Sequence, residues 1–116
     1  MKKFLLAAIF GLTIIFASAQ AEAEEIFVGT SPATGCNCYV LTETIRHMNE
    51  HRMVITAVTL KTVDDKGGVH CIDYKFFALD GGFDDVHFSN SEGFSEQATA
   101  QDTPIEWATY MAIRHY

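Results

Sequence analysis

Hydrophobic and polar residues alternate through the middle of the chain, a pattern typical of strands with one buried face. The segment 53–62 is rich in Val, Ile and Thr, and the segment 69–79 follows it after a short polar connection at 64–68. Gly67 and Gly68 in this connection can adopt the positive φ that a hairpin turn needs. We therefore predict that the two segments form an antiparallel hairpin at the centre of a sheet.

The second segment of this hairpin has two distinct faces. Residues two apart on a strand share a face, so Ile72, Tyr74 and Phe76 are predicted to point into the core. Asp73 and Lys75 then point into water.

Other parts of the chain carry weaker patterns. Strands are predicted at 26–28, 38–41 and 84–88, with turns at 29–35 and 80–82 and a polar loop over 90–101. The segment 42–52 is ambiguous: a turn around Glu43-Thr44-Ile45 followed by a polar loop is favoured, and a helix is the alternative.

A helix is predicted to begin at Thr103-Pro104-Ile105-Glu106. Threonine is a common N-cap, proline fits the first helical position, and a glutamate three residues after the cap completes a capping box. Four apolar residues at helical spacing are predicted to lie on the sheet: Ile105, Ala108, Met111 and Ala112. Core packing is favoured for the helix aromatics, and the alternative is an exposed patch of Trp107, Tyr110 and Tyr116. The fold class is α+β: about five antiparallel strands with a C-terminal helix on one face.

The first residues indicate export. Lys2 and Lys3 precede an apolar run from Phe4 to Phe16, and small residues follow. This order is typical of a secretory signal peptide, here residues 1–21, cleaved after Ala19 or Ala21. The apolar run is shorter than the roughly 20 residues that cross a bilayer, so we expect no membrane span after cleavage. Residues 22–116 are then one secreted domain, periplasmic or at the cell surface.

The net charge of the chain after cleavage indicates which classes of partner to expect. Removing Lys2 and Lys3 leaves six basic residues against 15 acidic ones, which changes the net charge from −7 to −9. An acidic surface repels phosphate backbones and anionic lipid, so a nucleic-acid partner is not expected.

Three cysteines follow the predicted cleavage site: Cys36, Cys38 and Cys71. In an oxidising compartment we expect one disulfide from Cys36 or Cys38 to Cys71, with a Cys36–Cys38 bridge as the alternative. A soft-metal site of Cys36, Cys38, His70 and Cys71 is a weaker hypothesis. Because His70 and Cys71 are adjacent on a strand, they point to opposite faces and do not both ligate one ion.

Three further motifs carry possible chemistry. His47-Met48-Asn49-Glu50-His51 fits the His-x-x-Glu-His pattern of inverted zinc peptidases, but it needs a helix. Asp80, Asp84 and Asp85 are acidic enough for calcium, without the spacing of a calcium loop. Serines near His87 lack a nucleophile elbow: Ser89, Ser91 and Ser95. We expect no catalytic set and no cofactor.

The order of elements resembles the surface-adhesin protein E group of small exported bacterial proteins. The resemblance rests on Ile26-Phe27-Val28-Gly29-Thr30, on Tyr39-Val40-Leu41-Thr42-Glu43-Thr44-Ile45, on the hairpin 54–77 and on the helix from Thr103. It implies an antiparallel sheet with a C-terminal helix and, for adhesin members, binding to host proteins.

Together these patterns predict an exported, non-enzymatic protein of the bacterial envelope that acts by binding a host or envelope protein. The alternative is a periplasmic metal-handling protein that uses Cys36 and Cys38 with His70 or Cys71. A possible partner surface lies on the sheet face away from the helix, around Phe77 and bordered by Phe94. Burial of Phe77 under the loop 90–101 is the favoured alternative.

Overall fold

A computed structural model describes residues 24–79 and 85–116 of the protein. They form a six-stranded antiparallel sheet in which every strand pairs with its neighbours in the chain, and one helix packs on a face of that sheet. The predicted α+β class is confirmed, with six strands instead of five. The elements are β1 Glu25–Thr30, β2 Asn37–Glu50, β3 Met53–Val63, β4 Val69–Leu79, β5 Val86–Asn90, β6 Ser95–Gln97 and α1 Pro104–Ile113.

The central hairpin of β3 and β4 forms as predicted. The two strands pair without a break from Met53↔Leu79 to Val63↔Val69. At the tip, Asp64 Oδ1 accepts hydrogen bonds from the backbone N–H groups of Lys66 and Gly68, at 2.9 and 2.7 Å. The turn is therefore fixed by an aspartate side chain as well as by its glycines.

The core lies between the sheet and the helix. Ile72, Tyr74 and Phe76 are buried on β4, as predicted from their alternation, and Asp73 and Lys75 are exposed. Phe76 is fully buried, and its ring contacts Phe88 on β5 and Tyr110 on α1, with centroids 6.1 and 5.7 Å apart. Aromatic contacts at this range connect the two layers.

The helix begins where the sequence predicts, but its cap and its buried face differ. The Thr103 hydroxyl bonds backbone atoms of Thr99, upstream of the helix, and caps no helical N–H. Glu106 accepts a hydrogen bond from Tyr74, so the predicted capping box does not form. The prediction that Met111 lies on the sheet was wrong, because Met111 is exposed. The buried helix residues are Ile105, Thr109, Tyr110 and Ile113. Tyr110 is thus in the core, Trp107 packs against it, and Tyr116 is exposed.

Residues 42–50 belong to β2, so both the predicted turn and loop and the alternative helix were wrong. Leu41 pairs with Thr59 and Arg46 pairs with Ala57, so the four residues 42–45 of β2 lie opposite the single residue Val58 of β3, which makes a large bulge. Thr44 Oγ1 fills the gap in the ladder, since it donates to the Leu41 carbonyl at 2.7 Å and accepts from the Thr59 N–H at 2.8 Å. The Arg46 guanidinium donates to the carbonyls of Glu43 and Ile45.

A two-residue turn connects β2 to β3. Glu50 pairs with Met53, and the residues between them, His51 and Arg52, have φ of 50° and 65°. Positive φ at both positions is the signature of a type I′ hairpin turn, which favours Asn-Gly. Non-glycine residues hold this conformation at a cost in free energy.

The prediction for residues 90–101 needs correction, and some other predictions concern residues that the structure does not describe. The segment 90–101 is not entirely a loop, because residues 95–97 form β6 beside β5. The predicted leader, the turn at 80–82 and Asp84 lie outside the described residues. Within residues 24–79 and 85–116, no helix has the length and hydrophobicity of a membrane span.

Candidate functional site

A groove opens on the helix-covered face of the sheet. It lies between the turn 31–36, the adjoining ends of β3 and β4, the loop that connects β5 to β6, and the first turn of α1. Its volume is about 540 Å³, within the roughly 300–1,000 Å³ of small-molecule sites. We call it the helix-face groove.

The floor of the helix-face groove is apolar. Leu60 on β3, Ile72 on β4 and Phe88 on β5 point into it, because each occupies a core-facing position of its strand. These three side chains are buried, so the apolar surface that a partner can cover comes from the rim, from Pro32, Pro104 and the half-exposed Phe94. Covering such exposed apolar surface is favourable.

Carboxylates surround this floor. Glu92 and Glu96 come from the β5–β6 hairpin, Asp102 comes from the turn just before α1, and Glu106 comes from the first turn of α1. No Lys or Arg lines the groove in the described part of the chain. His70 also lines the groove, and its Nε2 lies 3.1 Å from Glu92 Oε2.

Tyr74 connects the groove to the core. Its hydroxyl donates to Glu106 Oε2 at 2.7 Å, although its ring is buried between Phe76 and Phe88. Burial and the adjacent Glu106 carboxylate raise the pKa of Tyr74 far above its usual range, because both disfavour the phenolate. Tyr74 is therefore a fixed hydrogen-bond donor that orients Glu106.

Two of the three cysteines line the groove and the third does not. Cys36 is half-buried, Cys38 is buried, and the exposed Cys71 lies on the opposite face of the sheet. All three are free thiols. Burial, and then the nearby Cys36, raise the pKa of the Cys38 thiol, which keeps it protonated.

The favoured disulfide joins Cys36 or Cys38 to Cys71, and the structure brings neither of them to Cys71, which lies on the opposite face of the sheet. For Cys38, β3 also lies between the two strands, so the residues are separated by two inter-strand spacings of about 4.8 Å each. A disulfide needs Cα atoms within about 7 Å, and side chains on one face. The Cys36–Cys38 alternative stays a prediction: Cys38 Sγ lies 3.7 Å from the Cys36 carbonyl oxygen.

The described residues contain no cluster of side chains that would support either metal hypothesis. Among residues 24–79 and 85–116, no three His, Cys, Asp or Glu side chains are placed to hold an ion. Cys36, Cys38 and His70 do line the same groove, while Cys71 is remote from them. Of the calcium candidates, Asp85 pairs with His87 at 2.9 Å, and Asp80 and Asp84 lie outside the described residues.

The residues of the two motifs considered for catalysis, which were not expected to form a catalytic set, are dispersed in the structure. His47 is on the extended strand β2 and His51 is in the turn that follows, so four residues at about 3.3 Å each separate them. His47 contacts Thr56 Oγ1 at 3.0 Å and the Tyr116 carbonyl instead. Within the described residues, no serine side chain is hydrogen-bonded to His87.

The predicted partner surface also separates into two. Phe77 is half-buried on the outer face of β4, whereas Phe94 lines the helix-face groove. The outer face has a depression of about 340 Å³. Several of its polar groups are bonded to one another, as in the 2.8 Å contact of Thr59 Oγ1 with Asp73 Oδ1.

One feature of the sequence does indicate the acidic rim, although none of the motifs discussed above includes it. Between Lys75 and Arg114 there is no Lys or Arg, although this stretch includes Glu92, Glu96 and Glu106. Such a run of one sign predicts a negative surface wherever the segment folds together. The sequence pattern does not indicate which residues this negative surface would surround.

Comparison with known proteins adds no relative: the chain matches no family model, no curated protein and no solved structure. The resemblance to the surface-adhesin protein E group thus stays a prediction.

Proposed function

We propose that this chain is an exported, non-enzymatic binding protein of a bacterial envelope, whose helix-face groove holds part of a host or envelope protein. The predicted signal peptide supports the export. The groove is the observation that carries the binding role. It combines exposed apolar side chains with carboxylates, as binding surfaces do when apolar contacts provide affinity and polar groups provide specificity.

The groove is a better candidate than the outer face of the sheet. Its volume of about 540 Å³ exceeds the 340 Å³ of the outer depression, and the exposed apolar residues Pro32, Phe94 and Pro104 line it. The outer depression is lined largely by Thr, Ser, Asp and Lys residues. A partner there would replace hydrogen bonds that the fold already makes, at little net gain.

Export is tested by expressing the full chain in a Gram-negative host and fractionating the cells. We expect the periplasmic or surface fraction to contain a chain whose mass fits cleavage after Ala19 or Ala21. An uncleaved chain in the cytoplasm would contradict the proposal.

Binding is tested by a matched pair of substitutions on β4. His70 and Lys75 are both exposed, but His70 lines the groove and Lys75 lies on the outer face. His70→Trp fills the groove and Lys75→Trp adds the same bulk to the other face. We expect partner capture from matrix and envelope extracts by the wild type and by Lys75→Trp, and loss of capture by His70→Trp. Retention by His70→Trp with loss by Lys75→Trp would move the site to the outer face.

The metal-handling alternative uses the same groove, since Cys36, Cys38 and His70 all line it. It is distinguished by thiol counting and metal analysis on protein purified from the periplasm. The binding proposal predicts no stoichiometric metal. Three free thiols with one equivalent of copper or zinc, lost in Cys36→Ser, would favour metal handling.

A further inference from the structure

The chemistry of the helix-face groove defines the kind of group it accepts, provided that the groove is the binding site proposed above. Four carboxylates line it, and the described residues place no Lys or Arg beside them. The first turn of α1 contributes about half a positive charge at this end, which the four negative charges outweigh. The potential in the groove therefore favours a cation.

Two of these carboxylates are engaged and two are not. Glu92 contacts His70, and Glu106 accepts from Tyr74. Within residues 24–79 and 85–116, the side chains of Glu96 and Asp102 have no hydrogen bond or ion pair. Both side chains are exposed, so they remain available to an incoming donor.

The apolar side chains that remain exposed in the groove add a second requirement. Pro32, Phe94 and Pro104 are exposed beside the carboxylates, and a small hydrated cation would leave them uncovered. A cation at the end of an aliphatic stem satisfies both parts, because the stem covers these apolar side chains while the charge reaches a carboxylate.

We propose that the groove binds lysine or arginine side chains from a basic segment of the partner protein. A side chain fits better than a free amine because the rim is open: Phe94 is 56 % exposed, and Glu92 and Glu96 are exposed as well. A chain can therefore lie across the groove and insert two or more basic side chains. The acidic net charge of the protein steers such a segment toward it.

The test uses capped pentapeptides in ligand-observed NMR titrations of the mature chain. The probe is Gly-Lys-Gly-Lys-Gly, with glutamine in place of lysine as the neutral counterpart. A third peptide carries diaminopropionate, which keeps the charge and shortens the stem. We expect the lysine peptide to bind about tenfold more tightly than the glutamine peptide, and more tightly than the short-stem peptide. Pentane-1,5-diamine tests the free amine.

Charge variants locate the contact. Glu96→Gln with Asp102→Asn should weaken the lysine peptide about fivefold, whereas Glu50→Gln, at the other end of the sheet, should leave its affinity unchanged. Equal binding of lysine and glutamine peptides, or equal binding by the wild type and the double variant, would overturn the inference. Tighter binding of the diamine than of the lysine peptide would overturn it in favour of a free amine. If these results occurred while His70→Trp still abolished partner capture, the binding proposal would stand without this inference.

Discussion

Tyr74 on β4 donates its phenolic proton to Glu106 on α1 across 2.7 Å, and this bond joins the core of the sheet to the first turn of the helix. The ring is 4 % exposed, so the hydroxyl has little access to water. The bond therefore contributes to stability and fixes one carboxylate of the groove.

Removing that hydroxyl should lower stability. A hydrogen bond to a charged group contributes about 1.5–3 kcal/mol, and Glu106 keeps partial access to water, so Tyr74→Phe is expected to cost about 1–2 kcal/mol of unfolding free energy. Urea denaturation measures this change. Tyr39→Phe is the matched control, because within the described residues the Tyr39 hydroxyl has no hydrogen-bond partner. An equal loss in both variants would contradict a role for the bond.

Tyr74 should also give a distinct alkaline response. The pKa of Tyr74 in the folded protein lies above its usual value of 10.0. Its contribution to the free energy of unfolding is therefore complete below about pH 10, and it is lost as the pH rises through the folded-state pKa. In a titration of tyrosinate absorbance, the last of the tyrosine phases is expected to disappear in Tyr74→Phe. A last phase that persisted in this variant would show that another tyrosine is the most protected.

The bulge in β2 depends on one hydroxyl. Thr44→Val keeps the shape of the side chain but leaves the Thr59 N–H and the Leu41 carbonyl without their partner. We expect a loss of about 1–3 kcal/mol, and near wild-type stability for Thr44→Ser, which retains the hydroxyl. Thermal unfolding of the two variants makes the comparison. Equal stability of Thr44→Val and the wild type would show that water replaces the threonine.

Gly29 should not tolerate a side chain. Its φ is +135°, and a Cβ there would lie 3.1 Å from Ile105 Cδ1 on the helix. Gly29→Ala is expected to destabilise the protein by about 1–3 kcal/mol through backbone strain and this contact. Ile105→Val removes Cδ1, so in a double-mutant cycle the alanine should cost less in the Ile105→Val background. A cycle without coupling would assign the whole cost to the backbone.

The β2–β3 turn offers a stabilising change. His51 and Arg52 both hold positive φ, which Asn and Gly adopt more readily. Replacing the pair by Asn-Gly should raise the free energy of unfolding by about 1 kcal/mol. Chemical denaturation provides the measurement, and a lower stability of the Asn-Gly variant would argue against a type I′ turn.

The sequence predicted the elements whose local pattern agrees with their final surroundings. β3 and β4 pair along their whole length, so alternation alone identified Ile72, Tyr74 and Phe76 as core. The part of β2 after residue 41 was missed because the bulge at 42–45 interrupts the alternation and a threonine side chain completes the ladder. β6 was missed because its three residues are exposed and carry no apolar signal.

The buried face of the helix and the groove could not be predicted from the sequence for a different reason. The helix is apolar on several sides, so helical spacing alone did not distinguish Met111 from Ile113 as the buried residue. Thr109 is buried because its hydroxyl bonds the Ile105 carbonyl, a contact no hydrophobic pattern reveals. The groove draws on segments far apart in the chain, from Cys36 to Glu106, and becomes visible only when the strand order is known.

The central claim, that the helix-face groove is the binding site, is tested most directly by protein-observed NMR. The isotope-labelled mature chain is titrated with the lysine pentapeptide or with a captured partner, and amide shifts are mapped onto the fold. The account predicts shifts concentrated at Leu60, Ile72, Glu96 and Glu106, with little change at Ala57, Lys75 and Ser89. Shifts concentrated at the latter three residues, which line the outer depression, would contradict it.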